Sequence, residues 1–236
     1  MPRRTLTPRV SWSDSYDYVT YVADAIALAA ADGDAEVAAI AASIDKVVTA
    51  WETLDAERRA KRRAQSRANA LVRRRDVQAD GIVDALHNDT LAMVKLDRQA
   101  PLFKRFFPVP VHLVVRLALG SELPELRKLA LKLDDPETPA ALKSAHQPPL
   151  ASIIDQGQKA IEGREQAYAD AGRTGARIAA WKEDANAALL GVEGTLKKIA
   201  GERRLGADWV EAFFPAPEQA KRKEKRDAEA PAPKPD

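Results

Sequence analysis

Residues 150–200 read LASIIDQGQKAIEGREQAYADAGRTGARIAAWKEDANAALLGVEGTLKKIA, and their spacing decides the fold class. Ile154, Gly157, Ile161, Tyr168, Ala171, Gly175, Ile178, Ala185, Leu189, Val192, Leu196 and Ile199 fall on an almost heptad pattern, with Arg164 and Lys182 as its charged exceptions. Spacing near 3.5 residues, sustained over this many turns, marks a helix that buries one narrow seam against a partner helix. Small residues on that seam, Gly157, Ala171 and Gly175, predict an unusually close approach. A glycine inside a helix costs about 1 kcal/mol against alanine, so these positions need a packing reason or a break.

The partner is written earlier in the chain. From Asp34 to Arg98 there is no proline and one glycine, Gly81, and apolar residues recur at helical steps as Val37, Ile40, Ile44, Val47, Trp51 and Leu54. The pattern thins to Ala60, Ala64, Ala68 and Leu71, then recovers as Ile82, Leu86, Met93 and Leu96. A continuous helix here would be about 95 Å long at 1.5 Å per residue, with Gly81 the place for a bend or break. A shorter helix precedes it, capped near Ser13 or Ser15, with Asp14 and Asp17 in the first turn, Tyr18, Tyr21, Val22, Ile26 and Leu28 on its apolar side, and Asp32-Gly33 as its stop.

Between the long helices, Pro101 and the run to Pro110 interrupt the pattern. Val111, Leu113, Val114, Val115, Leu117, Ala118 and Leu119 are apolar on nearly every side, which predicts a buried segment. Gly120-Ser121 opens a further short helix with Pro124 in its first turn and Leu123, Leu126, Leu129, Ala130 and Leu133 inward, and Pro148-Pro149 closes the insert. The expected architecture is therefore all-α: an elongated antiparallel helical bundle of two long coiled-coil-like helices, 34–98 and 150–200, with a compact head of short helices over 101–149. A flexible lead, 1–12, precedes a single helical domain, 13–214, and a disordered charged Pro/Ala tail, 215–236, follows it.

Phe106-Phe107-Pro108-Val109-Pro110 and Phe213-Phe214-Pro215-Ala216-Pro217 both follow a long helix after a short connection. They read as aromatic plugs under the helix ends, with a duplicated hairpin or a docking motif as alternatives. No fixed period supports a solenoid. Trp12, Trp51, Trp181 and Trp209 sit one per major helical element and read as packing anchors for an alanine-rich bundle.

The chemistry is bounded by what is missing. The sequence has no cysteine, which removes disulfides, thiolate metal sites and thiol nucleophiles. His87, His112 and His146 lie in different elements without metal-ligand spacing; His87 and His146 are expected at the solvent and His112 in or near the core. There is no phosphate-binding glycine loop and no serine elbow. No catalytic, metal or cofactor residue is assigned, and no small-molecule substrate is predicted. No stretch is long and apolar enough for a membrane span, and no signal peptide is written, so a cytoplasmic location is expected.

A formal net charge of +2 gives no global attraction to polyanions. Locally the balance differs: Arg58, Arg59, Lys61, Arg62, Arg63, Arg67, Arg73, Arg74 and Arg75 face only Asp55, Glu57 and Asp76. These side chains read as spread almost all round the helix, so that the segment either runs past the bundle or packs by its Ala60, Ala64 and Ala68 edge, with Glu183 and Asp184 as opposing acids. A second basic cluster, Lys221, Arg222, Lys223, Lys225 and Arg226, lies in the tail. Two functions follow. One is a non-enzymatic structural, scaffolding or protein-interaction role through helix–helix association with itself or another protein. The other is sequence-independent nucleic-acid association through the 58–75 helix.

Overall fold

The computed structural model describes residues 5–216, and the fold is all-α. Its elements are α1 (Trp12–Ala31), α2 (Ala35–Met93), α3 (Pro101–Phe106), a 3-10 turn (Val111–Leu113), α4 (Leu119–Asp134), α5 (Ala140–Arg203) and α6 (Ala207–Glu211), with no strand among the described residues. The tail reading beyond Ala216, with its basic cluster, lies outside the described residues, as do Met1 to Arg4.

Both long helices are continuous where the sequence suggested breaks. α2 passes through Gly81, and α5 begins at Ala140, ten residues before the expected start, so Pro148 and Pro149 lie inside it. Each proline forfeits one backbone hydrogen bond. Burial of Leu142, His146, Leu150 and Ile153 along one side holds the turn helical regardless. α2 stops short of Arg98 because Lys95 and Leu96 take left-handed φ values of 53° and 69°, and the Leu96 N–H closes onto the Leu91 carbonyl at 2.9 Å. α5 ends the same way, with Arg204 at φ 55° and the Leu205 N–H on Ala200 O at 2.8 Å.

The seam of α2 is more regular than its apolar letters. Val37, Ile40, Ile44, Val47, Trp51, Leu54, Arg58, Lys61, Gln65, Ala68 and Val72 are all buried or half-buried, alternating in steps of three and four, whereas Ala60 and Ala64 face solvent. Of the expected alanine edge only Ala68 lies on the seam, and Arg58, Lys61 and Gln65 fill the positions before it. In α5 the inward positions of the middle are Ala160, Ala167 and Thr174, one residue before Ile161, Tyr168 and Gly175; Tyr168 and Gly175 are exposed.

The described residues form two compact units. The first joins α1, α2 up to Glu57, α5 from Thr174, and α6. Here α2 and α5 run antiparallel: the Trp181 indole N–H donates to Val47 O at 2.9 Å, and Arg203 meets Asp34 at 2.6 Å. Trp12 stacks on Trp51 at 5.1 Å and meets Trp181 edge-on at 5.0 Å, and Tyr16 also stacks on Trp51, at 4.0 Å. The described part of the lead is packed rather than free. Leu6 is 2% exposed, its N–H and C=O both engage the Asn186 amide at 2.8 and 3.1 Å, and the buried Lys182 ammonium donates to the Thr7 and Val10 carbonyls.

The second unit spans Arg58–Arg173. Val83 and Leu86 of α2, Phe103 and Phe106 of α3, Leu123, Leu126, Leu129 and Leu133 of α4, and Leu150 and Ile153 of α5 form its core. Arg105 bridges to Asp135 at 2.5 Å, tying α3 to the loop after α4. The predicted buried segment holds only for Leu119, which opens α4; Val111–Leu113 is a 3-10 turn whose His112 and Leu113 are exposed, and 114–118 fold as turns and irregular chain over the core edge. α4 opens at Leu119, with Gly120-Ser121 in its first turn.

Each unit is built from the same parts. The order short helix, long helix, aromatic plug occurs twice, and each unit takes a short helix and half a long helix from one occurrence and the other half-helix and plug from the other. Phe106 and Phe107 are buried in one unit, Phe213 in the other. The correspondence reaches single positions: Ser15, Val19, Val22 and Ile26 of α1, and Glu122, Leu126, Leu129 and Leu133 of α4, are all buried and stand 107 residues apart pair by pair. The Phe-Phe-Pro echo is thus one visible part of a repeated architecture.

Only one glycine is required by close packing. A Cβ on Gly157 would lie 2.9 Å from Leu123 Cδ2 and 3.4 Å from Leu119 Cδ1, so the close partner there is α4, whereas Gly81 and Gly175 meet nothing within 4 Å. Gly81→Ala should raise stability by about 0.5–1 kcal/mol. Gly157→Ala should lower it by about 1 kcal/mol, because overpacking outweighs the helix gain. Urea unfolding of the two variants checks both signs.

Candidate functional site

The charged middle of α2 stays helical because Ala, Arg, Lys, Gln and Leu are good helix formers, and no glycine or proline intervenes before Gly81. Its inner cations are engaged. Lys61 reaches Asp170 of α5 at 2.8 Å, and Asp170 also accepts from Arg173 and from Gln166, so its carboxyl is held down to about 2, chiefly by Lys61. Arg75 donates to Gln78, Arg58 is engaged as well, and the Asn69 amide donates to the Tyr168 hydroxyl at 3.1 Å. In the first unit, Glu57 accepts from Thr174 and Arg177. The acids that meet the segment are therefore not Glu183 and Asp184, which are exposed in the first unit.

The outer cations behave differently. Arg59, Arg62, Arg63, Arg67, Arg73 and Arg74 are all exposed. At 100° per residue they fall within an arc of about 140° and along about 22 Å of helix. The nine cations together do spread round most of the helix, as expected, but Arg58, Lys61 and Arg75 occupy the inner and flanking positions, and the six exposed arginines share one face. Arg62, Arg63, Arg67, Arg73 and Arg74 make no ion pair or hydrogen bond among the described residues. Ser66 and Ala70, both exposed, lie along the centre of this face, which has low relief between the guanidinium groups.

A second polar feature was not singled out from the sequence. Glu122, in α4, is fully buried, and neither carboxyl oxygen has a hydrogen-bond partner; one oxygen each of Asp76 and Asp80 on α2 is likewise buried and unpartnered. Burial, reinforced by the charges of Asp80 and Asp76, pushes the Glu122 carboxyl up to about 8, and burial with Asp76 and Asp84 raises Asp80. The helical period held the signal: Leu119, Glu122, Leu126, Leu129 and Leu133 form one stripe, with the glutamate on its apolar side. No group of three His, Cys, Asp or Glu side chains among the described residues is arranged to hold a metal ion.

Two of the histidines exchange their expected places. His146 is 6% exposed, its Nε2 2.8 Å from Asp89 Oδ2, because the helical extension through Pro148 turns it inward. His112 is exposed on the 3-10 turn. His87 is half-buried, edge-on to Phe103 and Phe107. No described helix is long and apolar enough to cross a membrane. No protein-family model, no curated protein and no solved structure matches the chain.

Glu122 gives a pH dependence with a definite sign. Its pKa is raised from an ordinary 4.5 to about 8 in the folded protein, so the folded state binds the proton more tightly than the unfolded chain. The group is fully compatible with folding below about pH 4.5 and costs stability progressively as pH rises towards about 8. Glu122→Gln removes that slope and should be more stable than wild type at pH 8 by about 2 kcal/mol, a conservative share of the roughly 1.4 kcal/mol per pKa unit. Melting both proteins between pH 5 and 9 tests this; parallel curves would contradict it.

Proposed function

We propose that this chain is a non-enzymatic interaction protein that acts through a helix surface, and that its contact is the arginine face of α2. The observation that carries this reading is the sorting of charge along one helix: the inner cations are engaged within the fold, while five arginines on a single outer face have no partner among the described residues. Exposed arginines without partners lose no internal bond when they meet an acidic surface, and guanidinium groups bind carboxylates in bidentate fashion. An acidic helix laid along the face matches its length and low relief.

A second reading is favoured by the same one-sided geometry. Arginines along about 22 Å of one face suit the backbone of a nucleic acid, bound without regard to sequence. No aromatic residue lies between Arg58 and Arg75 to stack on bases, so phosphate contact would be the whole of the interaction.

Arg62→Gln, Arg63→Gln, Arg73→Gln and Arg74→Gln together should leave the helical circular dichroism unchanged and weaken capture of the acidic partner at least tenfold in crosslinking and pulldown from the native source. If nucleic acid is the partner, the same variant lowers the slope of log K against log salt by about 3–4. Binding that is undetectable at low ionic strength removes the second reading, and a partner retained by the variant removes the first.

A further inference from the structure

The two units carry opposite charge. Among the described residues the first unit holds sixteen Asp and Glu against eight Lys and Arg, a formal −8. The second holds twenty-one Lys and Arg against fourteen Asp and Glu, a formal +7. A net charge of +2 for the whole chain conceals this separation.

On the acidic unit, one helix face stands out. α1 buries Ser15, Tyr18, Val19, Val22 and Ile26 and turns Asp14, Asp17, Tyr21, Asp24 and Leu28 outward, again in steps of three and four. The three aspartates make no side-chain ion pair or hydrogen bond among the described residues. Tyr21 is 47% and Leu28 69% exposed, so apolar surface sits between the acids. From Asp14 to Leu28 the face runs about 21 Å, close to the length of the arginine face on α2. It offers large apolar side chains flanked by carboxylates, and the arginine face offers Ser66 and Ala70 flanked by guanidinium groups.

We propose that the acidic partner of the arginine face is a second copy of this chain, whose α1 docks along α2 through Asp17, Tyr21, Asp24 and Leu28. This rests on the reading of the arginine face as a protein contact. The two faces are different patches, so the contact is heterologous, with the first unit of one copy meeting the second unit of the next. Charge pairing steers the encounter and sets its orientation, while the apolar residues between the charges exclude water. The association weakens as salt screens the facing charges.

Charge exchange tests the pairing in the full chain. Asp17→Lys with Asp24→Lys reverses the α1 face and leaves Asp14 at the helix start. Arg62→Glu, Arg67→Glu and Arg74→Glu reverse the α2 face. Sedimentation velocity at 50 mM salt should show wild type associated and each variant alone monomeric, with melting curves showing that both are folded. Mixing the two variants should restore association, and 500 mM salt should weaken the wild-type contact at least tenfold. Wild type that is monomeric at 50 mM salt overturns the proposal. Association that is indifferent to salt and to both variants also overturns it, but leaves helix–helix association standing through another surface. If wild type stays monomeric yet binds a DNA duplex that the arginine variant cannot, the face belongs to nucleic acid and the proposal fails.

Discussion

Two long helices packed side by side must bury a stripe that advances every three or four residues, and most of this structure follows from keeping that stripe unbroken. α2 holds the alternation from Val37 to Val72 even where the residues on it are Arg58, Lys61 and Gln65. Geometry, not hydrophobicity, decides which side of the helix faces α5 in this segment. Polar groups caught on the inner side then acquire polar partners, as Lys61 does with Asp170, since an unpaired buried charge is costly. Those left outside keep their full hydration and their availability.

The sequence made the all-α class, both long helices, the short N-terminal helix and the aromatic plugs legible, because each rests on local signals that repeat over many residues. It misled where a local signal met a tertiary constraint. Pro148 and Pro149 are strong local stops, yet the burial of neighbouring side chains carries α5 through them. Ala60 and Ala64 look like the inner edge of α2 only if alanine is taken as a marker of burial; the phase set by Ile40, Ile44, Trp51 and Leu54 leads instead to Arg58, Lys61 and Gln65, and only then to Ala68. Taken all together, the cations are dispersed round the helix. Extending the phase of the certain part of the seam would have separated inner from outer cations without any structure.

Glu122 shows the opposite case, a signal present but easily read as noise. One carboxylate on an otherwise leucine-lined stripe is compatible with an exposed flank until the second helix is placed. Only the approach of α2, carrying Asp76 and Asp80, brings further carboxyl groups near it and buries its own oxygens without a partner. His146 and Asp89 similarly meet only because α5 begins before Leu150. Pairings of this kind depend on register between distant segments, which periodicity within one segment does not contain.

The repeated short helix, long helix and plug has a consequence for individuality. Two separate, identical chains sharing elements in this way would form a symmetric pair, and every substitution on one would appear on the other. Written twice in a single chain, the halves are released from that rule. Buried positions such as Val19 and Leu126 stay under matching demands of volume and shape, while the surfaces drift independently, one towards carboxylates and the other towards guanidinium groups. A homodimer of one half cannot have a front and a back. A single chain can give its halves unlike surfaces, as the acidic first unit and the basic second unit do here.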